Sequence, residues 1–188
     1  MFRAILTMSC LIAATTACGP HRARTSDPAL DVTSHASARE RRLQSTLANL
    51  ARGTAAVRTV RVSLSDRTGF GAWAWREGEV KVSPALADLL DEEELAGVVA
   101  HELAHLLIGG HLGAPAAIDG GDAEHAADSL GCALLAACGL PPSAMTRMLE
   151  RLSRVLPENG SFAERAAATR ARPCASDTEE ALSLSSPN

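Results

Sequence analysis

The sequence predicts an α+β fold, mainly helical, with a small, mainly antiparallel β-sheet, and three observations carry that expectation. Apolar residues recur at helical spacing through most of the second half, as in Leu95, Val98, Val99, Leu103, Leu106 and Leu107. Period-two alternation is confined to the stretch from Val57 to Val82. Gly, Pro and Asp clusters punctuate the boundaries between these segments. At 188 residues and 46% hydrophobic content the chain can build one cored domain with tails. Only 3% of residues are aromatic and none is Tyr, so the core must be mainly Leu, Val and Ala.

Residues 1–17 have a short basic start (Arg3), an apolar run from Ala4 to Ala14 and small residues ahead of Cys18. That is the shape of an export signal, too short to stay in a bilayer as a spanning helix. Thr15-Thr16-Ala17-Cys18-Gly19 resembles a bacterial lipobox, with Thr15 where Leu is usual. It implies cleavage before Cys18, lipidation of that cysteine and, with Gly19 rather than Asp next, passage to the outer membrane. Simple cleavage to a soluble periplasmic protein is the alternative. Loss of residues 1–17 removes Arg3 and no acid, which takes the formal charge from −4 to −5. No basic patch with interleaved aromatics is present, so a nucleic-acid partner is not expected.

Residues 19–33 are rich in Pro, Ser, Thr, Arg and Asp and read as a flexible tether. Ser34 to Arg52 reads as a helix with Leu43, Leu47 and Leu50 on one side, Arg39 to Arg42 on a solvated face and Gly53 as the stop. From Val57 the period becomes two, and Val60, Val62 and Leu64 mark a half-buried strand. Ala72 to Trp75, a turn at Glu77-Gly78 and Val80 to Val82 make a hairpin. Trp73 and Trp75 share one face, as a lid over the sheet or as part of an edge strand along which an extended peptide is laid. Ser83-Pro84 opens a short helix, Ala85 to Leu90. The acidic run Asp91 to Glu94 suits the start of the next helix, and Gly109-Gly110 its end. His111 to Asp122 reads as a loop. Further helices are expected at Ala123 to Cys138, from a Ser143 cap through Leu156, and at Ser161 to Arg172, before a polar, disordered tail at residues 173–188. Cys132 and Cys138 lie too far apart along one helix to pair, and either could meet Cys174 or remain a thiol.

The chemistry is concentrated between Asp91 and Asp128. His101, Glu102 and His105 form H-E-x-x-H, and Glu124 and Asp128 form E-x-x-x-D. Residues four apart share a helix face, so the two imidazoles can hold one metal ion, with Glu102 one step round to reach its water. A catalytic zinc site takes three protein ligands and leaves a position for water, and Glu124 is the candidate third. Asp128, one turn on, can orient a ligating histidine through its other ring nitrogen. His111 is a weaker ligand candidate or a lid: H-E-x-x-H-x-x-G-x-x-H needs Gly where Ile108 stands.

The runs Glu93 to His105 and Glu124 to Gly131 resemble the gluzincin metallopeptidases of the HtpX and CAAX prenyl endopeptidase family, nearest to its small periplasmic lipoproteins. The likeness spans roughly residues 57–172 and includes Gly71 to Leu86 and Gly139-Leu140-Pro141-Pro142. It implies a zincin-like metallopeptidase domain over residues 34–172, one zinc ion held by His101, His105 and Glu124, Glu102 as general base and Asp128 behind the ligands. Asn159 to Arg165 resembles a family segment that begins His-Pro-Ser and ends in Arg. It implies that Arg165 helps hold the oxyanion, whereas Asn159 stands where the family has His. The loop between His105 and Glu124 is shorter than usual and resembles the compact ImmA/IrrE-like metallopeptidases. The function implied is zinc-dependent endopeptidase action on misfolded or misassembled envelope proteins. A non-catalytic, zinc-stabilised envelope chaperone or assembly factor, or a compact ImmA/IrrE-like metallopeptidase, is the alternative.

Overall fold

The architecture is that of a computed structural model, which describes residues 28–75, 77–109 and 123–171, with side chains from residue 37 onward except at 56. The expected export signal, Cys18, most of the tether, His111 with its loop, Cys174 and the tail lie outside the described residues. Helix α1 (Pro28–Gly53) begins before the Ser34 start that its leucines suggest. Its buried face is Leu43, Thr46, Leu47 and Leu50. Gly53 ends it against the end of a later helix: a Cβ there would meet the backbone of Ala137 and Cys138 at 2.8 Å. Arg39 and Arg42 are not simply solvated. Arg39 makes a two-pronged pair with Asp88 at 2.7 and 2.6 Å. Arg42 reaches Glu92 at 2.7 Å and donates to the carbonyls of Ala87 and Leu90.

A 3-10 turn, Ala55–Thr59, takes up the start of the expected strand, so Val57 enters the core from a turn. The strands are β1 (Arg61–Leu64), β2 (Ala72–Trp75) and β3 (Glu79–Val82), in the order β1-β3-β2. β2 and β3 form the expected hairpin, with Gly78 at φ 74° in its turn. β3 also pairs with β1, and in parallel, so the sheet is mixed. Side-chain alternation is the same for both directions of pairing, which is why the sequence did not separate them. The outer edge of β1 is covered by α1: Gln44 donates to the Val62 carbonyl at 2.7 Å, and Glu40 accepts from the Leu64 N–H at 3.2 Å. β2 is the other edge. Ser83 N–H bonds the Gly71 carbonyl at 2.8 Å, and antiparallel alternation then turns the backbone groups of Trp73 and Trp75 toward β3 and those of Ala72 and Ala74 outward.

Ser83 is fully buried and caps α2 (Pro84–Leu89), its Oγ accepting from Leu86 N–H at 3.3 Å and from Gly71 N–H at 3.1 Å. One hydroxyl thus fastens the hairpin to the helix. Helix α3 (Glu92–Ile108) opens with a capping box between Asp91 and Glu94. Every residue from Glu94 to Ala104 is buried, so α3 is the central helix and not a surface one. Arg151 pairs with Glu94 at 2.7 Å and Arg147 with Glu93, which fixes the next-but-one helix across the start of α3. α4 (Ala123–Ala137) ends at Gly139, φ 78°, with Leu140 N–H bonded back to the Leu135 carbonyl. α5 (Ser143–Val155) has no side-chain cap, contrary to the expectation for Ser143. The Pro141-Pro142 turn starts the helix instead, its carbonyls accepting from Ala144 and Met145, and Ser143 Oγ accepts from Arg147. α6 (Ser161–Ala171) packs on α5. Among the described residues no helix is long and apolar enough to cross a membrane.

Candidate metal centre

His101 and His105 stand one turn apart on α3 with their rings edge to face, centroids 4.6 Å apart. Their Nε2 atoms are 3.0 Å apart. Glu124, from the first turn of α4, closes the triangle: its Oε2 is 3.4 Å from His101 Nε2 and its Oε1 3.3 Å from His105 Nε2. Zinc bonds of about 2.0–2.1 Å at a tetrahedral angle place ligand atoms about 3.3 Å from one another. The two imidazole nitrogens and the Glu124 carboxylate therefore lie close enough together to hold one zinc ion between them. Among the described residues these three are the group of His, Cys, Asp and Glu side chains able to hold a metal.

The outer partners are as closely set. His101 Nδ1 is 2.9 Å from Asp128 Oδ1, which directs Nε2 inward and is the arrangement that orients a ligating imidazole. Asp128, only 1% exposed, is gripped by Arg165 from α6, Nε to Oδ2 at 2.8 Å and Nη2 to Oδ1 at 2.6 Å. Arg165 Nη1 lies 2.7 Å from Glu124 Oε2. Arg165 is thus placed beside the centre, and its closest partners are the two carboxylates. Asn159 sits in the turn before α6, where its Oδ1 accepts from Ser161 Oγ at 2.7 Å. Its side-chain bond stays within that turn.

Burial is the largest influence on His101, Glu102, Glu124, Asp128 and Arg165, and partners decide its outcome. Burial opposes charge on His101, yet the bonds to Asp128 and Glu124 outweigh it and raise the pKa to about 9. Burial also pushes the carboxyls upward; for Glu124 the two histidines, and for Asp128 the bonds from Arg165 and His101, reverse this and hold both below the usual range. Glu102 has no such bond. Burial raises its pKa against the pull of His101 and His105, and its Oε2 is enclosed without a hydrogen-bond partner among the described residues. It is a carboxylate able to accept and hold a proton, on the helix that carries the two imidazoles.

Sequence reasoning passed over Gly131. A Cβ there would stand 3.3 Å from Ala100 C and His101 N and 2.5 Å from Met145 Cε, so the glycine lets α4 approach α3 at the level of His101. A glycine inside a confident helix was the available signal. Also unforeseen is an apolar pocket against Glu102, made by β2, α2, α3, α5 and α6.

Two imidazoles, a carboxylate from a neighbouring helix and a buried carboxylate beside them are the donor set and the base that a metallohydrolase centre uses. Residues 37–122 match Peptidase family M48. The matched span takes in H-E-x-x-H and ends before Glu124, so the third ligand rests on geometry. No curated protein matches the chain.

Proposed function

We propose that the chain is a zinc-dependent endopeptidase of the bacterial cell envelope, an outer-membrane lipoprotein anchored through Cys18, that cleaves misfolded or misassembled proteins. The observation that carries the enzymatic part is the cluster of His101, His105 and Glu124 donor atoms, with Glu102 on the same helix and its Oε2 without a hydrogen-bond partner among the described residues. The signal-like residues 1–17 and the lipobox-like run to Gly19 support the envelope. His101, His105 and Glu124 would hold one zinc ion, which supplies a Lewis acid for the scissile carbonyl and lowers the pKa of a water. Glu102 takes that water's proton and passes it to the leaving amine, a task suited to a carboxyl whose pKa burial has raised. Asp128 holds His101 in the tautomer with its proton on Nδ1. Arg165 has N–H groups beyond those facing Asp128 and Glu124 and shares a pocket wall with Glu102, so it steadies charge developing on the carbonyl oxygen. The substrate backbone lies along the outward-facing groups of Ala72 and Ala74, since Ala72 lines the same cleft as Glu102.

Zinc-loaded mature protein incubated with casein tests the reading, with Glu102→Gln expected to keep the metal and lose cleavage. Activity that persists in Glu102→Gln, contaminants excluded, refutes the role of Glu102. Metal content of Glu124→Ala beside His111→Ala identifies the third ligand. A second reading, a zinc-stabilised chaperone without turnover, is favoured by Asn159 being spent on Ser161. It predicts stoichiometric zinc with intact casein.

A further inference from the structure

Resting on the peptidase reading, we infer that the cleft selects a small apolar side chain, alanine in preference to leucine or phenylalanine, at a residue flanking the scissile bond. The pocket that His101, Glu102 and Arg165 help to line has an otherwise apolar wall that includes Phe70, Leu86, Met148, Leu152, Leu156 and Phe162. Nothing among those six offers a hydrogen bond, so a polar side chain entering it would lose its water without replacement. The polar groups in its lining are His101, Glu102 and Arg165, so a side chain that fills the pocket belongs to a residue close to the reacting carbonyl.

Size decides which apolar group enters. The cavity measures about 30 Å³, whereas a cavity of about 150 Å³ is what accepts a benzene ring. On that scale there is room for one or two carbon atoms. A methyl group fits; the four carbons of a leucine side chain do not. The walls do not yield cheaply, because Leu86, Met148, Leu152 and Phe162 are buried members of the same core that encloses α3. Enlarging the pocket would therefore displace packed side chains, and Met148 is the most adaptable of them.

A series of blocked peptides, varied through Gly, Ala, Val, Leu and Phe at each position flanking one scissile bond, tests this in two ways. Turnover is measured with the zinc-loaded wild type, and binding by calorimetry to zinc-loaded Glu102→Gln, which does not turn over. Alanine should exceed leucine by about tenfold or more at one of the two positions in both assays, the order of discrimination a methylene gives. Met148→Ala and Leu156→Ala should shift that ratio toward leucine by about tenfold. Leu156 is only half-buried, so its variant decides the matter if Met148→Ala does not fold. Equal or better handling of leucine at both positions, an unchanged ratio in the folded variants, or no peptide binding overturns the inference. Size-ordered binding without turnover in the wild type supports the pocket and sinks the peptidase reading instead.

Discussion

Replacing Asp128 by Asn tests whether the carboxylate behind His101 organises the centre or merely fills space. The two side chains are isosteric, so the change removes one charge without opening a cavity. In the wild type Asp128 and Arg165 are 1% and 5% exposed and joined by two bonds, of 2.8 and 2.6 Å. Removing one member of a buried ion pair costs about 3–5 kcal/mol. Glu124 remains 2.7 Å from Arg165 Nη1, however, and the new amide oxygen still accepts one bond. The expected loss for the metal-free protein is therefore at or below the lower end of that range, about 2–3 kcal/mol, read from urea unfolding. Zinc affinity should fall by about 10–100-fold, because the acceptor that orients His101 loses its negative charge and its hold on the imidazole weakens; competition with a chromophoric chelator measures it. A cycle with Arg165→Met should show the double variant losing less than the sum of the singles. If Asp128→Asn stayed within about 0.5 kcal/mol of wild type and bound zinc within twofold, the account of this side chain as an organiser would be wrong.

Gly131→Val should weaken zinc binding more than it lowers stability, since the added atoms press on Ala100 and His101 and move α4 with Glu124; unchanged zinc affinity in a folded variant would count against the close approach. Gly139→Ala meets nothing within 4 Å and carries only the cost of its left-handed φ of 78°. A loss of about 1–2 kcal/mol without change in zinc affinity is expected from paired denaturation and metal titrations. Chelation of zinc should lower the melting temperature reversibly, by an amount that grows with free zinc when the metal is restored. A melting curve indifferent to zinc would argue against a site formed in the native state alone.

The elements and the chemistry were legible for different reasons. H-E-x-x-H names its own geometry because helical spacing alone puts His101 and His105 on one face. Capping and turn residues are equally local, and Asp91, Ser83, Gly78 and Gly139 mark ends that the structure keeps. Ser143 and Val57 were misread because a neighbouring Pro-Pro turn and a 3-10 turn supplied the same connections by backbone means.

What the sequence by itself determined is therefore the periodic and the local: a helix carrying two imidazoles and a free carboxylate, a hairpin before it, and a second helix with Glu124 and Asp128. Only the tertiary structure decided that β3 pairs in parallel with β1, that Arg165 closes on Asp128 and Glu124, and that a narrow apolar pocket ends at Glu102. The reason is one of range. Spacing along a chain fixes which face a side chain occupies, whereas which faces meet, and how much room they leave, follows from packing between segments far apart in sequence.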